Sequence, residues 1–121
     1  MPLIGIKTNL KTSQIPENFV VDVAKVAGDV VGKPVSKVLC FLTTDQQMSF
    51  GGTTEPCALV TLRSIGNIHD RSDKIVSELT KFLVKCLELS QDRFYILFQD
   101  LSLDDIAYKG LVMRELRKQQ V

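Results

Sequence analysis

Pro2 is the first residue with chemistry to offer. Loss of Met1 is expected when a small residue follows, and it would leave a secondary amine at the head of the chain. An ordinary α-amino group titrates near roughly 7.7–8. An apolar pocket or a nearby cation disfavours its charged form and lowers that value. A prolyl nitrogen so placed is largely neutral at physiological pH and rigidly aimed, as a general base requires. The plainer reading, and the default for this residue alone, is a cap on an edge strand or a trace of N-terminal processing.

Lys33 lies between Gly32 and Pro34, just after a helical pattern. A cation there complements the helix dipole, or it binds a substrate carboxylate and lowers the pKa of a neighbouring amine. Taken alone, the dipole role is the default. Ser64-Ile65-Gly66 closes an apolar run, and the glycine allows close backbone approach. No base stands near Ser64 in the sequence, so its hydroxyl is read as non-nucleophilic. Tyr95 lies inside an apolar run, where core packing with a hydrogen-bonded hydroxyl is the default. His69 opens the polar stretch His69-Asp70-Arg71-Ser72-Asp73 and reads as a solvated loop residue rather than a catalyst. Gly51-Gly52-Thr53-Thr54-Glu55-Pro56 fits neither a phosphate loop nor a dinucleotide fingerprint and reads as a tight turn. Arg114, Glu115, Arg117 and Lys118 read as a solvated charged tail.

The composition narrows the classes. A chain of 121 residues with 45% hydrophobic and 24% charged residues is an ordinary globular domain, not a disordered segment. Fifteen Lys+Arg against fourteen Asp+Glu give a net charge of +1, which is no footprint for nucleic acid. Cys40, Cys57 and Cys86 are odd in number, widely spaced and without a C-x-x-C pair. That argues against structural zinc and against a disulfide framework, and makes a reducing compartment the default. A single histidine rules out a His-rich metal site. No run reaches about 18 apolar residues, so no membrane span is expected. Met1 to Lys7 lacks the basic and apolar regions of a signal peptide. In a chain this short, a sizeable pocket calls for a partner subunit as one wall.

The elements that must position these residues repeat. Shifted by 56 residues, the apolar pattern falls on itself: Leu3, Ile4 and Ile6 land on Leu59, Val60 and Leu62, and Val38–Leu42 lands on Phe94–Phe98. Each copy reads as strand, helix, strand. Leu3–Thr8 is strand, a helix opens near Pro16-Glu17 and stops at Gly32, and Val38–Leu42 is a buried strand. Cys57–Ile65 is strand, about Asp70–Leu89 helix and Arg93–Phe98 strand, with Thr43–Pro56 as connector. Strands joined by a crossover helix should be parallel, and both helices should cover one sheet face. The strands are apolar at consecutive positions, so the other face is apolar too, and nothing in the chain is left to cover it. Oligomerisation is expected.

Pro2 with Thr8-Asn9, Gly32-Lys33-Pro34, Met48-Ser49-Phe50-Gly51-Gly52, Glu55-Pro56-Cys57-Ala58, Ser64-Ile65-Gly66 and Asp92-Arg93 before an apolar strand occur in order. This set resembles the macrophage migration inhibitory factor and D-dopachrome tautomerase family of the tautomerase superfamily, over about residues 2–113. Lys109-Gly110-Leu111-Val112-Met113 is more like the D-dopachrome tautomerase branch, and Tyr95 more like the other. The resemblance implies an α/β (α+β) fold of tandem βαβ units, pseudo-repeats 1–56 and 57–112, with a C-terminal extension 113–121. It implies a four-stranded mixed sheet with two helices on one face, and a homotrimer with a central channel. It also implies active sites at subunit interfaces and no cofactor. Pro2 would be the base in keto–enol tautomerisation of phenylpyruvate-like or dopachrome-like substrates, dopachrome decarboxylation being a variant. Lys33 would hold the substrate carboxylate or ring oxygen. Ser64 and Ile65 would line the pocket, the Ile65 backbone amide holding the anionic end. Tyr95 would come from the adjacent subunit, and Tyr108 and Met113 would close the rim.

The chain departs from the family at four places. Leu97 replaces an asparagine two residues after the tyrosine, removing a polar contact worth about 1–3 kcal/mol if the substrate group is left unpaired. Lys37 replaces an aromatic pocket residue and adds a cation that favours anionic or differently shaped substrates. Cys57-Ala58-Leu59-Val60 lacks the second cysteine of a dithiol motif. Arg114–Val121 replaces an aromatic C-terminus. These departures keep a second reading open: an extracellular cytokine-like ligand with a vestigial pocket, bound by a cell-surface receptor. The chain would then be cytoplasmic and also exported without a signal peptide. A ferredoxin-like interaction domain is a third reading, since two βαβ units suit that architecture as well.

Overall fold

The computed structural model describes residues 1–119. The first half runs β1 (Leu3–Thr8), α1 (Phe19–Val31) and β2 (Leu39–Thr43); the second runs β3 (Ala58–Ser64), α2 (Ser72–Leu87) and β4 (Phe94–Asp100). A small hairpin of β5 (Ala107–Tyr108) and β6 (Leu111–Val112) leads into α3 (Met113–Gln119). The main sheet has the order β2-β1-β3-β4. Pairing is parallel within each half, β1 with β2 and β3 with β4, and antiparallel at the centre, where β1 meets β3. The sheet is therefore mixed and the fold α+β, with the expected repeat laid out about its middle.

Local sequence explains the helices. In α1, Phe19, Val23, Ala27, Val30 and Val31 recur at steps of three and four and are buried. In α2, Ile75, Leu79, Leu83 and Leu87 do the same at steps of four. Both stripes pack on Ile4, Ile6, Val60 and Leu62, the inward residues of the two central strands. The start of α1 differs from expectation. Asn18 takes a left-handed conformation at φ 65°, which breaks helical continuity, so the helix opens at Phe19 and Pro16 lies in the preceding turn. Its end is as expected. Gly32 sits at φ 79°, and its N–H and that of Lys33 both donate to the Gly28 carbonyl at 2.9 Å.

Only one sheet face is covered. Leu39, Phe41, Tyr95 and Leu97 stand on the other face at 58%, 41%, 68% and 54% exposure. Two expectations are corrected here. Val38–Leu42 is not a buried strand: β2 is an edge strand whose alternate residues leave the core. Tyr95 is not a core residue: it is among the most exposed apolar side chains. The reason is the period of two along a strand. An apolar run has two apolar faces, and the helices cover one. Gly5 in β1 is needed on this face, because a Cβ there would collide with the Phe41 ring that lies across it.

Conserving the connector 43–56 against the sheet falls to three side chains from the noted motifs. Thr8 Oγ1 donates to the Cys57 carbonyl at 2.7 Å. Asn9 Nδ2 donates to the carbonyls of Thr54 and Glu55, while its Oδ1 accepts from Cys57 N–H at 2.9 Å. Arg93 donates to the carbonyls of Phe50, Glu55 and Pro56 at 2.7, 2.8 and 3.2 Å. Gly51 and Gly52 both take positive φ in a tight turn closed by the Phe50–Thr53 bridge, as expected.

The charged tail is also corrected. Residues 113–119 form a helix whose Met113 and Leu116 are buried, so this segment packs on the fold rather than trailing in solvent. The last two residues of the expected 113–121 extension, Gln120 and Val121, lie outside the described residues.

Candidate active site

Two adjoining cavities of ≈ 340 and ≈ 640 Å³ meet at the start of the chain. Met1, Lys37 and Tyr108 line both. Pro2, Leu3, Val38 and Leu39 wall the smaller one, with Ile106 and Ala107 opposite. Lys33, Pro34, Met113, Leu116 and Arg117 wall the larger.

Each wall follows from the fold. Pro2 is buried just before β1, and its carbonyl accepts from Leu39 N–H at 3.0 Å, which ties the chain start to the edge strand. Proline gives up no donor there, since it has no N–H within the chain. The left-handed turn at Gly32 ends α1 and hands Lys33 to the cavity. A tight turn over Val35–Lys37 then brings Lys37 round to the same opening. The β5–β6 hairpin carries Tyr108, whose ring centre lies 6.0 Å from Lys37 Nζ and 5.5 Å from Lys109 Nζ.

Electrostatics converge on the chain terminus. Burial holds the Met1 amine below its ordinary value of 8.0, and the cations of Lys33, Arg117 and Lys37 lower it further. Both causes act against the charged form, so this amine gives up its proton more readily than an ordinary one. No aspartate or glutamate among the described residues lines either cavity.

Of the residues expected from the sequence, Pro2, Lys33, Lys37, Tyr108 and Met113 come together here. Ser64 and Ile65 do not line these cavities. They stand beside them, since continuing the antiparallel register past Leu3–Arg63 sets Ser64 opposite Pro2. Ser64 is fully buried and its Oγ has no hydrogen-bond partner among the described residues. Tyr95 and Leu97 lie on the uncovered face of β4, away from the chain start. Tyr95 pairs with Leu59 and so with Lys7, four residues along β1 from Leu3. That is about 13 Å at the rise of an extended strand. The Tyr95 ring rests on Phe50 at 5.0 Å between centres. Arg117 was missed in the sequence, though its spacing was informative. Met113, Leu116 and Arg117 fall at steps of three and four, which puts the cation on the apolar stripe of a helix.

A family model described as macrophage migration inhibitory factor matches residues 1–114. The chain belongs to the macrophage migration inhibitory factor family. It is 38% identical over 111 residues to the macrophage migration inhibitory factor homolog of Trichinella spiralis, covering 91% of this chain and 97% of that protein. It is 32% identical over 111 residues to the rat factor, covering 91% and 96%. The solved structure of the Trichinella spiralis factor superposes with a TM-score of 0.87 at 35% identity, over 90% of this chain and 97% of that one. A homologue from Prochlorococcus marinus, at 24% identity and a TM-score of 0.82, shares the fold over 92% and 98%. Membership of the macrophage migration inhibitory factor family supports a tautomerase-like and cytokine-like role. The family match takes in Pro2, Lys33, Lys37, Tyr108 and Met113 and ends before Leu116 and Arg117.

Proposed function

We propose that the protein is a cofactor-free keto–enol tautomerase of phenylpyruvate-like or dopachrome-like substrates, acting as a homotrimer with the amine of Pro2 as its base. The observation that carries this reading is the environment of the chain start: a terminal amine made less basic by burial and three cations, at the mouth of a cavity. Removal of Met1 gives Pro2 that position. Its neutral nitrogen takes a proton from the carbon next to the substrate carbonyl. The electron pair moves to the carbonyl oxygen, which takes a proton from solvent water as the prolyl ammonium gives its own back to water, and the enol results. In the reverse direction the prolyl ammonium returns the proton to carbon.

Lys33 holds the substrate carboxylate by direct charge pairing. Tyr108 and Met113 close the rim, and Lys37 adds a second cation. Ser64 and Ile65 lie beside Pro2 in the sheet, behind the lining of the cavities. Tyr95 is too far along β4 to serve its own chain start, and Tyr95 and Leu97, on the uncovered face, belong to the pocket of a neighbouring copy. The uncovered apolar face supports that assembly, since Leu39, Phe41 and Leu97 need a cover that none of the described residues provides. No helix among the described residues is long and apolar enough to cross a membrane. A cytoplasmic protein that is also exported without a signal peptide fits this reading.

The test is phenylpyruvate and dopachrome tautomerisation by three proteins whose intact masses are known: Pro2 terminal, Met1 retained, and Pro2→Gly. Activity should depend on a terminal proline. Full turnover by the variant or by the Met1-retaining protein would refute the mechanism. A second reading rests on Leu97, which offers no polar contact to a substrate, and on the exposed Lys37. It makes the protein a cytokine-like ligand with a vestigial pocket. That reading expects negligible turnover in all three proteins and saturable binding of the trimer to a cell-surface receptor.

A further inference from the structure

The three cations at the cavity differ from the other two basic residues of helix α3. Helix α3 carries three basic residues. Arg114 pairs with Asp104 and Glu115, and Lys118 pairs with Glu115 at 3.2 Å. Arg117 is in no ion pair among the described residues, and neither is Lys33 or Lys37. The helix accounts for the division. Met113 and Leu116 face inward, and Arg117 follows them on that side, while Arg114, Glu115 and Lys118 share the outer side.

The larger cavity thus holds Lys33 from the turn after α1, Arg117 from the C-terminal helix and Lys37 at the opening. Pro34, Met113 and Leu116 supply apolar surface among them. One carboxylate on a substrate uses one of these cations. The guanidinium of Arg117 is a fixed fork suited to a second carboxylate, whereas an ammonium is a point charge. Unpaired cations on a cavity wall with no acidic lining residue among the described residues are neutralised best by a ligand carrying two anions.

We infer that Arg117 is a specificity-determining residue that adapts this pocket to an aromatic acid carrying two carboxylates, one held by Lys33 and the other by Arg117. The inference rests on the chain-start cavity being the substrate site, as proposed above. Such a substrate exposes the apolar ring to Tyr108 and Met113 and its two charged ends to separate cations.

The probes are an inert pair, terephthalate and benzoate, and a reacting pair, 4-carboxyphenylpyruvate and phenylpyruvate. Calorimetry gives the ratio of Kd values for the inert pair, and initial rates give the ratio of kcat/KM values for the reacting pair. Ratios cancel any effect of Arg117 on the shared amine. The wild-type protein should favour the doubly charged member of each pair. Arg117→Gln should reduce both ratios about fivefold, the size of a partly exposed ion pair. Arg117→Lys, which keeps the charge, should retain most of the preference, and Lys118→Gln should leave the ratios as they are. Ratios that do not respond to Arg117→Gln, or that respond equally to Lys118→Gln, overturn the inference. So does failure of the wild-type protein to bind terephthalate more tightly than benzoate. If terephthalate is preferred through Arg117 but neither keto acid is turned over, the tautomerase reading fails and the dianion preference stands.

Discussion

Arg93 offers the most direct test of how the connector and the sheet face are held. Its guanidinium makes three hydrogen bonds to carbonyls of the connector and lies 5.3 Å from the centre of the Phe50 ring. The bond to Phe50 is the shortest, at 2.7 Å, and is partly buried, so its loss leaves a carbonyl poorly served by water. The bonds to Glu55 and Pro56 are exposed, and water replaces them at small cost. A charge-assisted bond at the first carbonyl, two weak ones and a ring contact together amount to about 2 kcal/mol. Arg93→Ala should lose that amount in urea unfolding, compared with wild type at equal protein concentration because assembly makes stability concentration-dependent. Arg93→Lys has no fork to span three carbonyls and should recover less than half. Because Phe50 carries the Tyr95 ring at 5.0 Å, loosening the connector should also raise KM for phenylpyruvate more than it lowers kcat. If Arg93→Ala unfolds within about 0.5 kcal/mol of wild type, the clamp is not what fixes this segment.

Gly5→Ala should destabilise the fold by about 1–3 kcal/mol, because the new methyl meets the Phe41 ring; adding Phe41→Ala in the same chain should relieve most of that loss in thermal unfolding. The acid limb of the pH–rate profile tests the amine. The base acts when neutral, and the burial and cations that hold the Met1 amine below its ordinary 8.0 should act in the same direction on a terminal Pro2 amine, so activity should be lost as pH falls through a value below the ordinary one. Lys33→Gln removes one of the lowering charges, and the limb should move to higher pH; a limb that stays in place removes Lys33 from the account. Leu97→Arg places a charge on the uncovered sheet face, and light scattering should show the assembly falling to single chains. An unchanged mass would mean that this face is not where copies meet.

Much of this protein was legible in one dimension. The 56-residue shift placed β1 on β3 and the edge strands on one another, and it did so through apolar periodicity alone. Periodicity is local chemistry repeated, so the sequence determined the four main strands and the two long helices, the helix stop at Gly32 and the helix stripes that face the core. It also exposed Pro2 and Lys33 as candidates, because their neighbours mark the start of a strand and the end of a helix. The tertiary structure decided which apolar residues stay uncovered. A run such as Leu39–Leu42 is apolar on both faces, and only the placement of two helices on one side leaves Leu39 and Phe41 in the open. It also decided which charges meet. Arg117 is far in the chain from Lys33 and Lys37, and only the packing of the C-terminal helix beside the turn after α1 brings the three round one amine. Charge acts through space, so its effect on the chain start is fixed by distances that the order of residues does not contain.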